Sequence, residues 1–155
     1  MNILQNLVKQ FADDNGYSFE MLDNGYGGFL QIDAIRVRLI LQPAGNMLVV
    51  QTGVGILPTE NREELALRLL ASNDLLHETH GMTLAVNRDA EVITLQATWS
   101  IDALSQEGFS NLIQHVVTET VRWIEILSDP HQDASASNGV NPSEEAGKIN
   151  SWVKL

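Results

Sequence analysis

Residues 82–99 decide the fold: Met82-Thr83-Leu84-Ala85-Val86-Asn87-Arg88-Asp89-Ala90-Glu91-Val92-Ile93-Thr94-Leu95-Gln96-Ala97-Thr98-Trp99. Met82, Leu84 and Val86 alternate with Thr83, Ala85 and Asn87, and Ile93, Leu95, Ala97 and Trp99 alternate with Val92, Thr94, Gln96 and Thr98. A period of two places successive side chains on opposite faces of a strand. Asn87-Arg88-Asp89-Ala90 between them is a tight turn, so the pair is a hairpin. The same alternation appears upstream, with Ile35, Val37, Leu39 and Leu41 on one face and Arg36, Arg38 and Gln42 on the other. Ile40 breaks it by putting an apolar side chain on the polar face. Phe29–Asp33 reads as a short strand before this one, and Met47–Val54 as a strand after the hairpin loop Pro43–Asn46. Asn24-Gly25 and Gly27-Gly28 mark residues 17–28 as turn-rich, and Gly53 and Gly55 loosen the chain after Val54.

Helical spacing frames these strands. Ile3, Leu4, Leu7, Val8 and Phe11 make an apolar stripe over residues 2–14, with Gly16 placed to take a left-handed stop. A second helix is predicted over 61–79, opened by Asn61 and Glu64 at capping-box spacing. Leu65, Leu69 and Leu76 lie on one of its stripes, while Leu67 and Leu70 face elsewhere. Two apolar faces on one helix need two packing partners, such as the sheet and another subunit. The last helix covers 105–127, with Phe109, Leu112, Ile113, Val116, Val117, Thr120, Trp123, Ile124 and Leu127 inward. The class is α+β: a single domain ordered helix, three strands, helix, two strands, helix, with a mainly antiparallel twisted sheet packed by helices.

The length of 155 residues suits one domain, and 44% apolar residues are enough for a core. Residues 1–127 make the domain. Residues 128–147 are rich in Ser, Asp, Asn, Ala, Gly and Pro, and are expected to be disordered. The polar tail runs from 128 to 155, and Lys148–Leu155, with Ile149, Trp152 and Val153, is either a short docking segment or simply the end of the tail. The start lacks the basic region of a signal peptide and no apolar run spans a bilayer, so a cytoplasmic protein without membrane insertion is expected. Twenty acidic residues against nine basic leave a charge of −11, which disfavours nucleic acid and anionic membranes. With no cysteine, disulfides, thiolate metal sites and thiol nucleophiles are excluded.

His77-Glu78-Thr79-His80 is one residue short of the helical zinc spacing, and no third ligand is evident. Both histidines read better as last-turn residues of a helix, where their positive charge is favourable. His115 reads as a helix-flank residue. Gly25-Tyr26-Gly27-Gly28 precedes a strand rather than a helix, so it is no phosphate cradle. The carboxylate pairs Asp13-Asp14, Glu63-Glu64 and Glu144-Glu145 sit at helix ends or in the tail, and no serine stands in a nucleophile elbow. No metal, cofactor or enzymatic activity is expected.

From Leu69-Leu70-Ala71-Ser72-Asn73 the chain passes through Gly81, Leu84-Ala85-Val86, the Asn87–Ala90 turn and Val92-Ile93-Thr94-Leu95 to a helix bearing Phe109, Leu112, Val116 and Trp123. With Phe29-Leu30-Gln31-Ile32-Asp33 and Gly53-Val54-Gly55-Ile56-Leu57-Pro58 upstream, this order resembles the class I type III secretion chaperones, the Tir-chaperone-like family, over residues 2–127. The tail beyond Ser128 is longer than that family usually carries.

The resemblance implies a cytoplasmic homodimer that binds the N-terminal segment of a secreted effector and keeps it extended, with the secretion-system ATPase as a further partner. It implies a strand added to a sheet edge and apolar side chains held near the first helix. The expected effector-binding residues are Ile3, Leu4, Leu7, Val8, Phe11, Phe29, Leu30 and Ile40. The expected dimer interface comprises Leu67, Leu70, Asn73, Leu84, Leu95 and Trp99. The alternative is a YbjN-like small α+β adaptor unrelated to secretion.

Overall fold

The computed structural model describes residues 3–42 and 46–129. Of the stretch 128–147 expected to be disordered, Ser128 and Asp129 instead end and cap the last helix, and the rest, with the docking segment 148–155, lies outside the described residues. Helix α1 (Ile3–Asn15) leads into strands β1 (Ser18–Met21), β2 (Gly27–Ile32), β3 (Ile35–Gln42) and β4 (Met47–Ile56). Helix α2 (Arg62–Ser72), strands β5 (Thr83–Asn87) and β6 (Val92–Ser100) and helix α3 (Gln106–Ser128) follow. The strands form one sheet of order β1-β2-β3-β4-β6-β5, with every neighbouring pair antiparallel.

The α+β class and the order of helices and strands are those read from the sequence, with one strand more. Ser18–Met21 pairs with β2 from Ser18 opposite Gln31 to Met21 opposite Gly28. The turn residues Asn24 and Gly25 lie between two strands rather than ahead of the first. Strand β4 also runs past Gly53 to Ile56, because a bulge between Gly53 and Gly55 absorbs the irregularity. An added Cβ at Gly55 would lie 3.3 Å from a Leu127 methyl, so the glycine lets the end of α3 close on the sheet.

Helices α1 and α3 supply the apolar stripes that fill the core face of the sheet. Leu4, Val8 and Phe11 join Phe109, Ile113 and Val116 over Leu30, Val37, Leu39, Leu48 and Val50. Each fully buried aliphatic or aromatic side chain contributes about 1.5–3 kcal/mol. Phe11 and Phe109 meet edge to face with centroids 5.7 Å apart, clamping α1 to α3. Thr52 and Thr120 pair through their hydroxyls at 2.7 Å beneath α3, so each satisfies a polar atom the other would leave buried. Gly16, at φ 72°, stops α1, and the Tyr17 N–H reaches back to the Ala12 carbonyl as in a Schellman end. Ser105 caps α3 by accepting from the Gly108 N–H at 3.0 Å.

Helix α2 departs most from expectation. It ends at Ser72 and is followed by a single 3-10 turn, Asp74–Leu76. Asn61 is left-handed (φ 55°) and its side chain makes no cap, so the capping box does not form. Only Leu69 and Ser72 of this helix are buried.

Candidate protein-binding surface

The outer face of the sheet, opposite α1 and α3, carries the even-numbered residues of β3. On it Ile40 is half-buried and stands opposite Val49 of β4 and Gly27 of β2. Phe29 stands opposite Arg38 on the same face, and the Arg36 guanidinium lies 4.2 Å above its ring. Arg36 also pairs with Glu20 of β1 at 3.1 Å. Arg38 Nε is buried and has no hydrogen-bond partner among the described residues. The face thus combines a short apolar row with two guanidinium groups in a chain whose net charge is −11. It ends at β1, an edge strand whose Ser18 and Glu20 are exposed.

The eight expected effector-binding residues do not share one surface. Leu4, Leu7, Val8, Phe11 and Leu30 are 8% exposed or less and belong to the core between α1, α3 and the sheet. They are not an open wall: the stripe that marks an amphipathic helix is the one that packs the domain. Of the α1 stripe only Ile3 is exposed. Phe29 and Ile40 lie on the other side of the sheet, where Phe29 is only 7% exposed because the Arg36 guanidinium covers its ring, and Ile40 is half-buried.

The residues expected at a dimer interface also divide. Leu67 and Leu70 are 63% and 67% exposed, one helical turn apart on the same side of α2. Leu75, Leu76 and Val86 extend the exposed apolar surface onto the 3-10 turn and β5. Leu84 and Leu95 instead point into the core, facing each other across β5 and β6. Trp99 is partly exposed because β5 pairs only with Val92–Gln96, leaving the end of β6 without a strand on that side. Asn73 is half-buried and reaches the backbone of β5: its Nδ2 donates to the Leu84 carbonyl at 2.9 Å and its Oδ1 accepts the Leu84 N–H at 2.8 Å.

The sequence reading missed an ionic latch behind this surface. Glu119 of α3 is buried, with its carboxylate 2.7 Å from His80 Nδ1 and 3.0 Å from Arg122 Nη1. Arg122 also donates to the Glu78 carbonyl at 2.7 Å, and His115 Nε2 lies 3.1 Å from the His80 carbonyl oxygen. These contacts fasten the segment between α2 and β5 to α3. His77 and His80 are therefore not last-turn residues of a helix, since α2 has already ended. A carboxylate on the inward stripe of α3, three residues before an arginine, was the available signal. No group of three potential metal ligands occurs among the described residues, and none of their helices is long and apolar enough to cross a membrane.

Comparison with known proteins adds the family. No curated protein matches the sequence significantly. Among solved structures, the HopA1-SchA chaperone-effector complex contains a chain of TM-score 0.62 at 15% identity, the match covering 79% of this chain and 94% of that one. The Yersinia pestis type III secretion chaperone SycH, solved with a stable fragment of YscM2, matches at TM-score 0.55 and 21% identity over 76% of this chain and 96% of the other. YbjN from E. coli matches at TM-score 0.57 and 17% identity, over 79% and 90% of the two chains. These likenesses establish the shared fold and do not choose between its users. The family model does, because it matches residues 6–124, from α1 to the last turns of α3, and on that match the chain belongs to the Tir chaperone protein (CesT) family.

Proposed function

We propose that this chain is a cytoplasmic type III secretion chaperone. Acting as a homodimer, it binds an extended N-terminal segment of a secreted effector and keeps it soluble and competent for secretion. The observation that carries the reading is the open β1 edge beside the outer-face row of Phe29, Ile40 and Val49, within a chain of this family. An extended segment adds to a sheet edge through its backbone and places alternate side chains in neighbouring apolar sites. Ile3 and Ile40 are the contacts retained from the sequence, and Phe29, 7% exposed beneath the Arg36 guanidinium, supports the row from within. The buried stripe of α1 acts by holding the domain together. Arg36 and Arg38 suit a segment that brings carboxylates or carbonyl oxygens to this face. Pairing through Leu67, Leu70, Leu75 and Val86 removes a second exposed apolar patch from water. Binding of this kind needs no metal, nucleotide or bond chemistry. Delivery to the secretion-system ATPase belongs to the same proposal.

The test is Ile40→Asp, assayed by circular dichroism and by co-purification with N-terminal fragments of the type III effectors of the source bacterium. The variant should fold and dimerise as the wild type does, and capture at least tenfold less fragment, because a carboxylate would be desolvated where an apolar side chain fits. Normal capture by the folded variant removes Ile40 from the site. If the wild type captures no effector fragment, the reading as a secretion chaperone fails, and the YbjN-like fold, a small α+β adaptor outside secretion, becomes the better account.

A further inference from the structure

We propose that Asn73 closes the β5 edge of the sheet, so that β5 cannot take an extended partner strand whereas β1 can. Both β1 and β5 are edge strands, and an edge strand presents backbone donors and acceptors to any passing chain. In an antiparallel ladder the N–H and C=O of one residue point to the same side, and the side alternates along the strand. Leu84 turns both groups away from β6, so β5 offers outward pairs only at Leu84 and Val86. The Asn73 carboxamide takes the whole Leu84 pair, donating at 2.9 Å and accepting at 2.8 Å, as a neighbouring strand would. One outward pair, at Val86, is too little to set a register.

Strand β1 is different. The Leu22 N–H donates to the Gly27 carbonyl at 2.9 Å, which makes Ser18 and Glu20 the inward-bonding residues of the same ladder. Phe19 and Met21 then present two consecutive outward pairs, enough to align an added strand.

The position of Asn73 is itself anchored. It terminates α2, its own N–H lying 3.2 Å from the carbonyl oxygens of both Leu69 and Leu70. The side chain is therefore delivered to Leu84 by a helix end that packs beside the strand. Association over α2 and β5, including self-association through Leu67 and Leu70, proceeds by side-chain packing and not by continuing β5 into a second copy. The consequence for an effector rests on the function proposed above, whereas the closed edge is tested without any partner.

The test uses the full chain, with Leu84 amide exchange followed by NMR and assembly by sedimentation velocity. Asn73→Ala should speed Leu84 exchange about tenfold or more, as expected for loss of one backbone hydrogen bond. It should also produce assemblies larger than the wild-type species that grow with concentration. Adding Val86→Pro removes the remaining outward N–H at a position where an edge strand tolerates proline, and should abolish those assemblies. If Asn73→Ala fails to fold, Asn73→Ser carries the same comparison, since its hydroxyl cannot span both Leu84 groups. Unchanged Leu84 exchange in the folded variant, wild-type assembly, or larger assemblies that persist with Val86→Pro would each overturn the proposal.

Discussion

The buried carboxylate of Glu119 and the imidazole of His80 meet at 2.7 Å, joining the middle of α3 to a loop residue in left-handed conformation, φ 49°. That contact decides where the chain between α2 and β5 lies. The loop contains Leu75 and Leu76, both exposed and both at positive φ, so its conformation does not come from local preference. It is held from α3, with Arg122 bonded to both Glu119 and the Glu78 carbonyl.

Glu119→Ala should therefore cost about 2–4 kcal/mol, because Arg122 loses its buried partner. Glu119→Gln keeps an acceptor and should cost less. Urea unfolding gives the magnitude. Hydrogen exchange should show the loss of protection centred on residues 74–82, and a uniform loss across the domain would contradict the latch.

Phe11→Ala should cost about 3–5 kcal/mol, since the ring is 4% exposed and packs on both Phe109 and Tyr17. Phe11→Glu should not fold. Circular dichroism separates the two ideas about this helix: a well-folded Phe11→Glu would mean that the ring faces a binding site and not the core.

Gly28→Ala should loosen β1. A Cβ there would stand 2.5 Å from the Glu20 carbonyl oxygen and 2.7 Å from the Phe19 ring, so the two strands must separate. The expected loss is about 1–3 kcal/mol, with new protease cleavage confined to residues 17–26. Effector capture should fall with it, since the added strand would lose its template.

Leu67→Glu combined with Leu70→Glu should halve the mass seen by light scattering at micromolar concentration, if these side chains join two copies. Both are largely exposed in the single chain, so far-UV circular dichroism should be unchanged and each should alter monomer stability by no more than about 0.5 kcal/mol. A dimer that survives both substitutions places the interface elsewhere.

Local periodicity was enough to determine the helices α1 and α3, the hairpin of β5 and β6, and the α+β class. Alternation along Ile35–Leu41 and along Ile93–Trp99 is written in adjacent residues, and the β5–β6 hairpin closes over a turn whose Asn87 side chain accepts the Ala90 N–H. Strand β1 escaped because Ser18–Met21 is only 4 residues long and runs into the Asn24-Gly25 turn, whose signal dominates the stretch. The end of α2 escaped for another reason. No breaker stands between Ser72 and Leu76, and the helix stops where Asn73 turns its side chain to the backbone of Leu84, 11 residues further on. The α1 stripe shows the same limit, since a helical apolar face is equally suited to packing a core and to gripping a partner. Periodicity tells which side chains share a face. Only the tertiary structure decided what that face meets, because burial, edge closure and the Glu119 latch all depend on groups brought together from distant parts of the chain.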